Sequence, residues 1–519
     1  MQVRLNRILS EKKGQITVFL SLIFLVLMGL AFCILEGMHI YTEVSLSEEV
    51  FMEAGDYVLS QYNRPLFERY HLFFLDPEEE EQIVSDGESY MKSYLDTNSS
   101  FSFECDNLSV TEEKTAMDED GLYLKHQIRE WMKYREIEKA GEGIKKLFHS
   151  MTDVEQKKDT VQKEINAADA AQEGESKAEP LQEETSEEAG LEKENSEGTV
   201  SADVTVKEGF QWKQLKETLE QIIKSGILLY VTDDLNQLSA LSISGDQLPS
   251  QKKGIKKESI INFPVSVTDF GSWKDVLKVP DIGNPDDHFL SDEFFLSEYI
   301  FDHFDCYIRK KDDRSIWPRC LQYEVEYLAG GRLSDQENLK LVADKMLLLR
   351  FVMNYSFASS DTEINNTAGA MADVLSGVFG LPAAREAVRV LLISAISYGE
   401  SLLEVHTLFA GGEIAAVKDA GTWNLYFHNA AELLKNREKV KTGKNNVDYK
   451  DYLRLLLAMQ IKSEKVYYRM MDVMQVNLRL EQPDFLMENC IFRFRWQADM
   501  KCAMGSHFYT ALMDRVNSY

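Results

Sequence analysis

The chain has 519 residues, 86 acids against 57 Lys and Arg, a formal net charge of −29 and six cysteines. That length suffices for two or three folded units, because single hydrophobic cores stop growing at roughly 250–300 residues. A mean hydropathy of −0.30 argues against a multi-pass membrane protein; the acidity disfavours nucleic acid, whose affinity is built on Lys and Arg; and the cysteines are too few for a disulfide scaffold.

The first predicted element is a membrane anchor. Ile16 to Leu35 is an uncharged, mostly apolar run of 20 residues, which at about 1.5 Å per residue matches a hydrocarbon core of about 30 Å. Arg4, Arg7, Lys12 and Lys13 precede it, and Glu36, Glu43, Glu48 and Glu49 follow it. The positive-inside rule therefore keeps residues 1–14 in the cytoplasm and places the rest outside the cell membrane, as a single-pass protein. The length of the run and the flank Leu35-Glu36-Gly37-Met38 favour a retained anchor over a cleaved signal peptide. Apolar spacing continues through Tyr41, Val44, Phe51, Ala54, Val58 and Tyr62, with no proline before Pro65. One helix from Gln15 to about Gln61 is predicted, lipid-buried below and amphipathic above, able to make coiled-coil contacts with a partner helix.

The stretch KKGQITVFLSL resembles the leader of type IV pilin-like proteins, especially the pseudopilins of tight-adherence (Flp) systems. The resemblance implies prepilin-peptidase cleavage between Gly14 and Gln15. Counted from Gln15, the fifth position is Phe19, where that family carries a glutamate. A second resemblance covers both ends of the chain. ITVFLSLIFLVLMGLAFCILEG, YNRPLFERYHLFFLD, LQYEVEYLAGG, LVADKMLLLRFVMNYSF, LLEVHTLFAGG and DYLRLLLAMQ together resemble an uncharacterised membrane-anchored bacterial family, domain-of-unknown-function family 5702. It implies one anchor, an external domain, neighbouring tight-adherence-like secretion genes and no catalytic residues.

Beyond the anchor, Pro65 and Pro77 bracket an aromatic-rich segment that must be buried. FSFECDNLSV alternates as a half-buried strand, and Leu122–Phe148 has helical spacing. His149–Gly209 contains no Phe, Trp or Tyr, and Met151–Val200 within it holds 15 acids and 5 bases. A segment that cannot bury apolar area cannot offset its ordering entropy, so 149–209 is predicted as a disordered acidic spacer. A helix over Phe210–Tyr230, a turn-rich stretch over Ser250–Gly283 and a helix over Ser291–Cys306 come next. CLQYEVEYLAGG is predicted as a strand. Ser334 caps a helix to about Tyr355, Pro382 opens another to about Val405, Asp448–Asn477 is helical, and CIFRFRWQAD is a third strand. The expected fold class is α+β and mostly helical, with a small antiparallel sheet. Residues 37–148 would extend the first helix and begin the external domain, and residues 210–519 would form its main part.

The candidate chemistry is thin. Glu324 and Glu326 are expected on the exposed face of the second strand, pairing with Arg493 and Arg495 of the third at about 0.2–1 kcal/mol per pair. The acid-rich cluster from Asp286 to Cys306 has the look of a helix with a wet face, lacking the spacing of a metal motif. Thr442-Gly443-Lys444 lacks the upstream glycine of a phosphate loop. Cys306–Cys320 or Cys490–Cys502 bridges are open beside buried free thiols. No catalytic, cofactor or metal residue is assigned, leaving Gly14 and Gln15 as a processing site and Ile16 and Leu35 as the anchor's ends. The expected function is a non-enzymatic scaffold of a tight-adherence-like pilus or secretion apparatus, with the bilayer and, through the first helix, pilus or secretion proteins as partners. The alternative is a membrane-anchored binding module for a peptide or wall polymer.

Overall fold

A computed structural model describes residues 2–77, 80–97, 103–133, 199–232, 234–264, 266–267, 287–308, 317–378, 385–461, 464–504 and 507–519, together with 147, 163 and 166. The spacer predicted over 149–209 lies outside these up to residue 198, apart from those single positions, as does Pro382. The chain divides into two compact units, residues 1–127 with 485–519, and residues 128–484.

The first unit is built on α1, Gln2–Leu59, an unbroken helix of 58 residues. The long helix expected from the apolar spacing is thus present and begins earlier than Gln15. It ends before the Asn63-Arg64-Pro65 turn, where Asn63 Oδ1 accepts from Leu66 N at 3.0 Å and starts α2, Arg64–Tyr70, with its proline in the first turn. Leu66, Tyr70, Leu72, Phe74 and Leu75 are buried, whereas Phe73 stays partly exposed. After α3, Glu80–Thr97, come β1, Phe103–Thr115, and then α4, Leu122–Met132. At the other end of the chain, β4, Ile491–Met504, and β5, His507–Ser518, complete an antiparallel sheet in the order β1-β4-β5. β1 and β4 are the two predicted strands that form.

Directly paired residues share a face, so Phe494, Trp496, Ala498, Met500 and Cys502 look inward with Phe103, Ala511 and Met513. They close one core with Val50, Phe51, Ala54 and Val58 of α1 and Ile83 and Met91 of α3. The outer face carries charge: Arg493 meets Glu112 at 3.2 Å, Arg495 meets Asp514 at 2.5 Å, and Lys501 pairs with Asp106.

The second unit is helical. Its helices include α5, Thr199–Ser225; α6, Ile227–Val231; α7, Asp287–His303; α8, Glu324–Gly330; α9, Asp335–Ser360; α10, Thr362–Val378; α11, Arg385–Phe409; α12, Ala430–Asn436; α13, Tyr449–Ile461; and α14, Lys465–Leu478. A two-residue ladder, β2 at Ile414–Ala415 and β3 at Asn446–Val447, is its described sheet. Ser334 caps α9 as expected, with Oγ accepting from Glu337 N at 3.3 Å. Gly226, at φ +88°, separates α5 from α6, so the single helix expected over 210–230 is two. The predicted 448–477 helix is likewise found as two described helices, α13 ending at Ile461 and α14 starting at Lys465. The apolar run in α11 is a core helix, buried along most of its length.

The predicted middle strand is corrected. CLQYEVEYLAGG holds α8, all seven of whose residues are buried. Burial all round removes the two-faced pattern from which period-2 alternation is read, so the alternating Leu321, Tyr323, Val325 and Tyr327 mark a core helix entry instead. Consequently Arg493 and Arg495 pair with β1 and β5 acids, and Glu324 and Glu326 have other partners.

Candidate functional site

Gly14 and Gln15 sit within α1, on helical backbone. Ile16 and Leu35, 60 % and 61 % exposed, bound the apolar lower half, which is exposed along its whole length. α1 is the one described helix long and apolar enough to cross a membrane. Burial begins at Glu43, Ser47 and Val50, so the helix passes from a bare apolar half to a docked half within about two turns.

The helical unit contains polar groups that the sequence does not announce. Arg350 of α9 donates from Nε and Nη2 to the two oxygens of Glu404 on α11, each at 2.7 Å. Lys418 reaches Glu404 at 2.7 Å and Glu400 at 2.5 Å, and Asn354 Nδ2 donates to Glu404 at 2.7 Å. Glu400 also accepts from Asn424 Nδ2 at 2.7 Å and Leu425 N at 2.9 Å. The two acids and Arg350 are fully buried, and Lys418 nearly so. Against burial, which raises it, the Arg350 and Lys418 charges hold the Glu404 carboxyl well below the usual carboxylate range. Two acids against two bases leave the cluster neutral.

The Glu324 and Glu326 carboxylates diverge in their partners. Glu324 takes Arg319 and Asp305 N, the latter at 2.9 Å, and Asn477 Nδ2 at 2.6 Å. Glu326 Oε1 accepts from Tyr307 N at 2.8 Å and the Tyr449 hydroxyl at 2.7 Å, while its Oε2 has no partner among the described residues. Burial pushes Glu326 up to about 7, so this carboxyl takes up its proton near neutrality. Both are interior struts, fully buried.

In the acid-rich cluster, Glu298 is bound by Arg454 at 2.8 Å and Asp305 by Arg319 at 2.7 Å. The described residues contain no group of three or more metal-ligating side chains. All six cysteines are free thiols. Cys490 and Cys502 cannot bridge, because twelve residues of extended chain separate them by about 40 Å. Burial pushes the Cys306 thiol up to about 12 and the Cys105 thiol up to about 11, away from thiolate reactivity. Gly443 lies beside β3, its N–H donating to Asn446 Oδ1 at 2.9 Å, in a local turn.

Gly331 ends α8 at φ +68°, and a Cβ there would stand 2.6 Å from Arg469 Nε. Arg469 cannot readily withdraw, since Nη1 donates to Leu328 O at 2.8 Å and Gln460 Oε1 at 2.7 Å. Gly331→Ala is expected to destabilise the chain by about 1–3 kcal/mol, read as a lower urea midpoint by circular dichroism.

An open hollow of about 480 Å³ is lined by Leu238, Tyr307, Phe409 and Asp234, among others. Residues that sequence reasoning missed are Arg350, Glu404 and Lys418. Their signal is Glu400 and Glu404 at i, i+4 inside an otherwise apolar helix, which forces buried cationic partners.

These features define a helical protein with one exposed apolar N-terminal helix, a sheet docked on that helix's upper half and a polar-stapled interior. The chain belongs to the Family of unknown function (DUF5702), whose family model matches residues 207–502. That match covers most of the helical unit and nearly all of β4; α1, β1 and β5 lie outside it. Neither the curated proteins nor the solved structures contain a match.

Proposed function

We propose that the protein is a non-enzymatic, single-pass membrane protein whose extracytoplasmic part serves as a structural or scaffolding component of a tight-adherence-like pilus or secretion apparatus. The observation that carries this reading is α1: one continuous helix with an exposed apolar lower half and an upper half docked on an antiparallel sheet. A helix bare on all sides over Ile16–Leu35 is matched to lipid or to the same region of neighbouring subunits. The basic N-terminal flank supports an inward N-terminus. The raised Cys306 and Cys105 thiols and the ion-paired, buried Glu404 support a structural interior.

Mass spectrometry of the protein isolated from its native membrane tests the pilin-like part. Gln15 as the first residue is expected; an intact Met1 or Gln2 start overturns leader processing. The hollow beside Tyr307 and Phe409 favours a second reading, an external module that binds a peptide or wall polymer against aromatic walls.

A further inference from the structure

The buried polar cluster of the helical unit places an amine, a carboxylate and a carboxamide side by side. Lys418 Nζ stands 2.5 Å from Glu400 Oε1, and Asn424 Nδ2 donates to the same oxygen at 2.7 Å. Two nitrogens on one acceptor oxygen lie within about 5 Å of each other. Local chain geometry brings them there. Lys418 and Asn424 flank a turn in which Asp419 O accepts from Thr422 N at 3.1 Å and Trp423 N at 3.0 Å, while Asp419 Oδ1 accepts from Thr422 N at 2.9 Å. The turn folds residue 424 back on residue 418, and both side chains meet α11 at the fully buried Glu400.

The Asn424 carboxamide is held in one orientation. Its nitrogen donates to Glu400 and to Thr422 O, the latter at 3.1 Å, and its oxygen accepts from Lys441 N at 3.0 Å. The Lys441 N–H therefore points at the oxygen on which negative charge develops when a nucleophile adds to Asn424 Cγ, the position of an oxyanion-hole donor. Lys418 is the nucleophile within reach. Its side chain is 2 % exposed, and Nζ lies 5.7 Å from the centre of the Trp423 ring. Bulk water is thus excluded as its proton acceptor, leaving the two carboxylates that it touches. Glu404 is held on both oxygens by Arg350, whereas Glu400 carries no arginine among the described residues, so Glu400 is the better base.

We propose that Lys418 and Asn424 become joined by an intramolecular isopeptide bond. The Lys418 ammonium passes one proton to Glu400, and the neutral amine adds to Asn424 Cγ, with the oxyanion held by the Lys441 N–H. Glu400 hands that proton to Nδ2 and takes a second from the attacking nitrogen; the Cγ–Nδ2 bond then breaks and ammonia leaves. One C–N bond forms and one breaks, without oxidant or further reactant. Proximity supplies what makes such an exchange slow between free amines and amides in water. Glu400 ends protonated, so the cluster stays neutral with Arg350 still paired to Glu404. Removing Glu404 therefore orphans the Arg350 guanidinium whether or not the bond has formed. The product closes residues 418–424 into a covalent ring over α11.

The test is peptide mapping of the full chain, purified in detergent and digested with trypsin. Residues 390–435 contain one internal cleavage point, Lys418. An acylated lysine is not cleaved, so 390–435 is expected as a single peptide about 17 Da lighter than its sequence, the mass of ammonia, with no fragment ions from within 418–424. Separate peptides 390–418 and 419–435 at full mass overturn the proposal. A loss of about 17 Da confined to a cleaved 419–435 peptide is a succinimide at asparagine and overturns it too. Lys418→Arg keeps a cation for both carboxylates without a reactive amine, and Glu400→Gln keeps the shape without a proton acceptor. Both are expected to give the two cleaved peptides at full mass. Ammonia loss that persists in Lys418→Arg, or a link that persists in Glu400→Gln, overturns the role given to that residue. The wild-type map alone decides whether the bond exists, so the outcome does not depend on either variant folding.

Discussion

Glu404→Ala is expected to destabilise the detergent-solubilised full chain by about 3–5 kcal/mol, the range for removing one partner of a buried ion pair. The cost arises less from the lost attraction than from what remains. Arg350 and Lys418 would stay buried, facing a single carboxylate, Glu400, that only Lys418 reaches. Asn354 Nδ2 would keep its 2.9 Å bond to Ser401 Oγ but lose its carboxylate acceptor. Glu404→Gln keeps the shape and one acceptor and should cost less than alanine but still destabilise, since the countercharge is gone. The double variant Arg350→Met with Glu404→Leu should recover much of the alanine loss, because it removes the orphaned guanidinium together with the acid. Urea unfolding followed by circular dichroism gives all of these values. A loss below about 1 kcal/mol for Glu404→Ala, the size of an exposed pair, would show that the cluster is solvated.

The second large effect is a fall in stability as pH rises from about 4.5 to 7. Glu326 is raised from 4.5 to about 7 and Asp472 from 3.8 to about 6, both chiefly by burial. Across those windows the folded chain holds protons that the unfolded chain releases. Their contribution is complete below the unfolded values and is lost as pH climbs through the folded ones. At about 1.4 kcal/mol per unit, the Glu326 shift is worth roughly 3 kcal/mol. Glu404 acts in the opposite sense: its lowered value contributes stability above the unfolded 4.5 that is lost as pH falls below it. Glu258, lowered by Lys345, Lys465 and Arg469 against the opposing effect of burial, does the same. For these groups together, stability peaks near pH 4.5–5. The difference between wild type and Glu326→Gln isolates one of them, since the glutamine variant should lose the Glu326 share of the decline between pH 5 and 7.5. Identical pH profiles for the two proteins would contradict a protonated Glu326.

Local pattern was enough wherever an element has a solvent side or a cap. The apolar half of α1 is legible because a 20-residue uncharged run is long enough to span a hydrocarbon core, and α1 beyond it because its core stripe repeats at helical spacing. β1 and β4 show period-2 alternation because one face of the sheet is wet, and the Ser334 cap is a short-range hydrogen bond. β5 escaped notice: Phe508, Tyr509, Ala511, Leu512 and Met513 put apolar groups on both faces, so alternation is lost. CLQYEVEYLAGG misled for the opposite reason. It is buried on every side, and its glutamates are satisfied by Arg319, Asn477 and Tyr449, whose approach no local pattern contains.

Sequence alone determined the address, a single basic-flanked apolar helix, together with the mostly helical α+β class and the concentration of acid in residues 151–200. These follow from composition and short periodicities, which act through transfer to lipid or water and need no partner. Tertiary structure decided which charges are interior. It joined Arg350, Glu404 and Lys418 into one cluster, turned Glu324 and Glu326 from an expected wet edge into core struts, and packed β4 and β5 against the upper half of α1. Those outcomes depend on groups tens to hundreds of residues apart, whose pairing is favourable only once folding has excluded water between them.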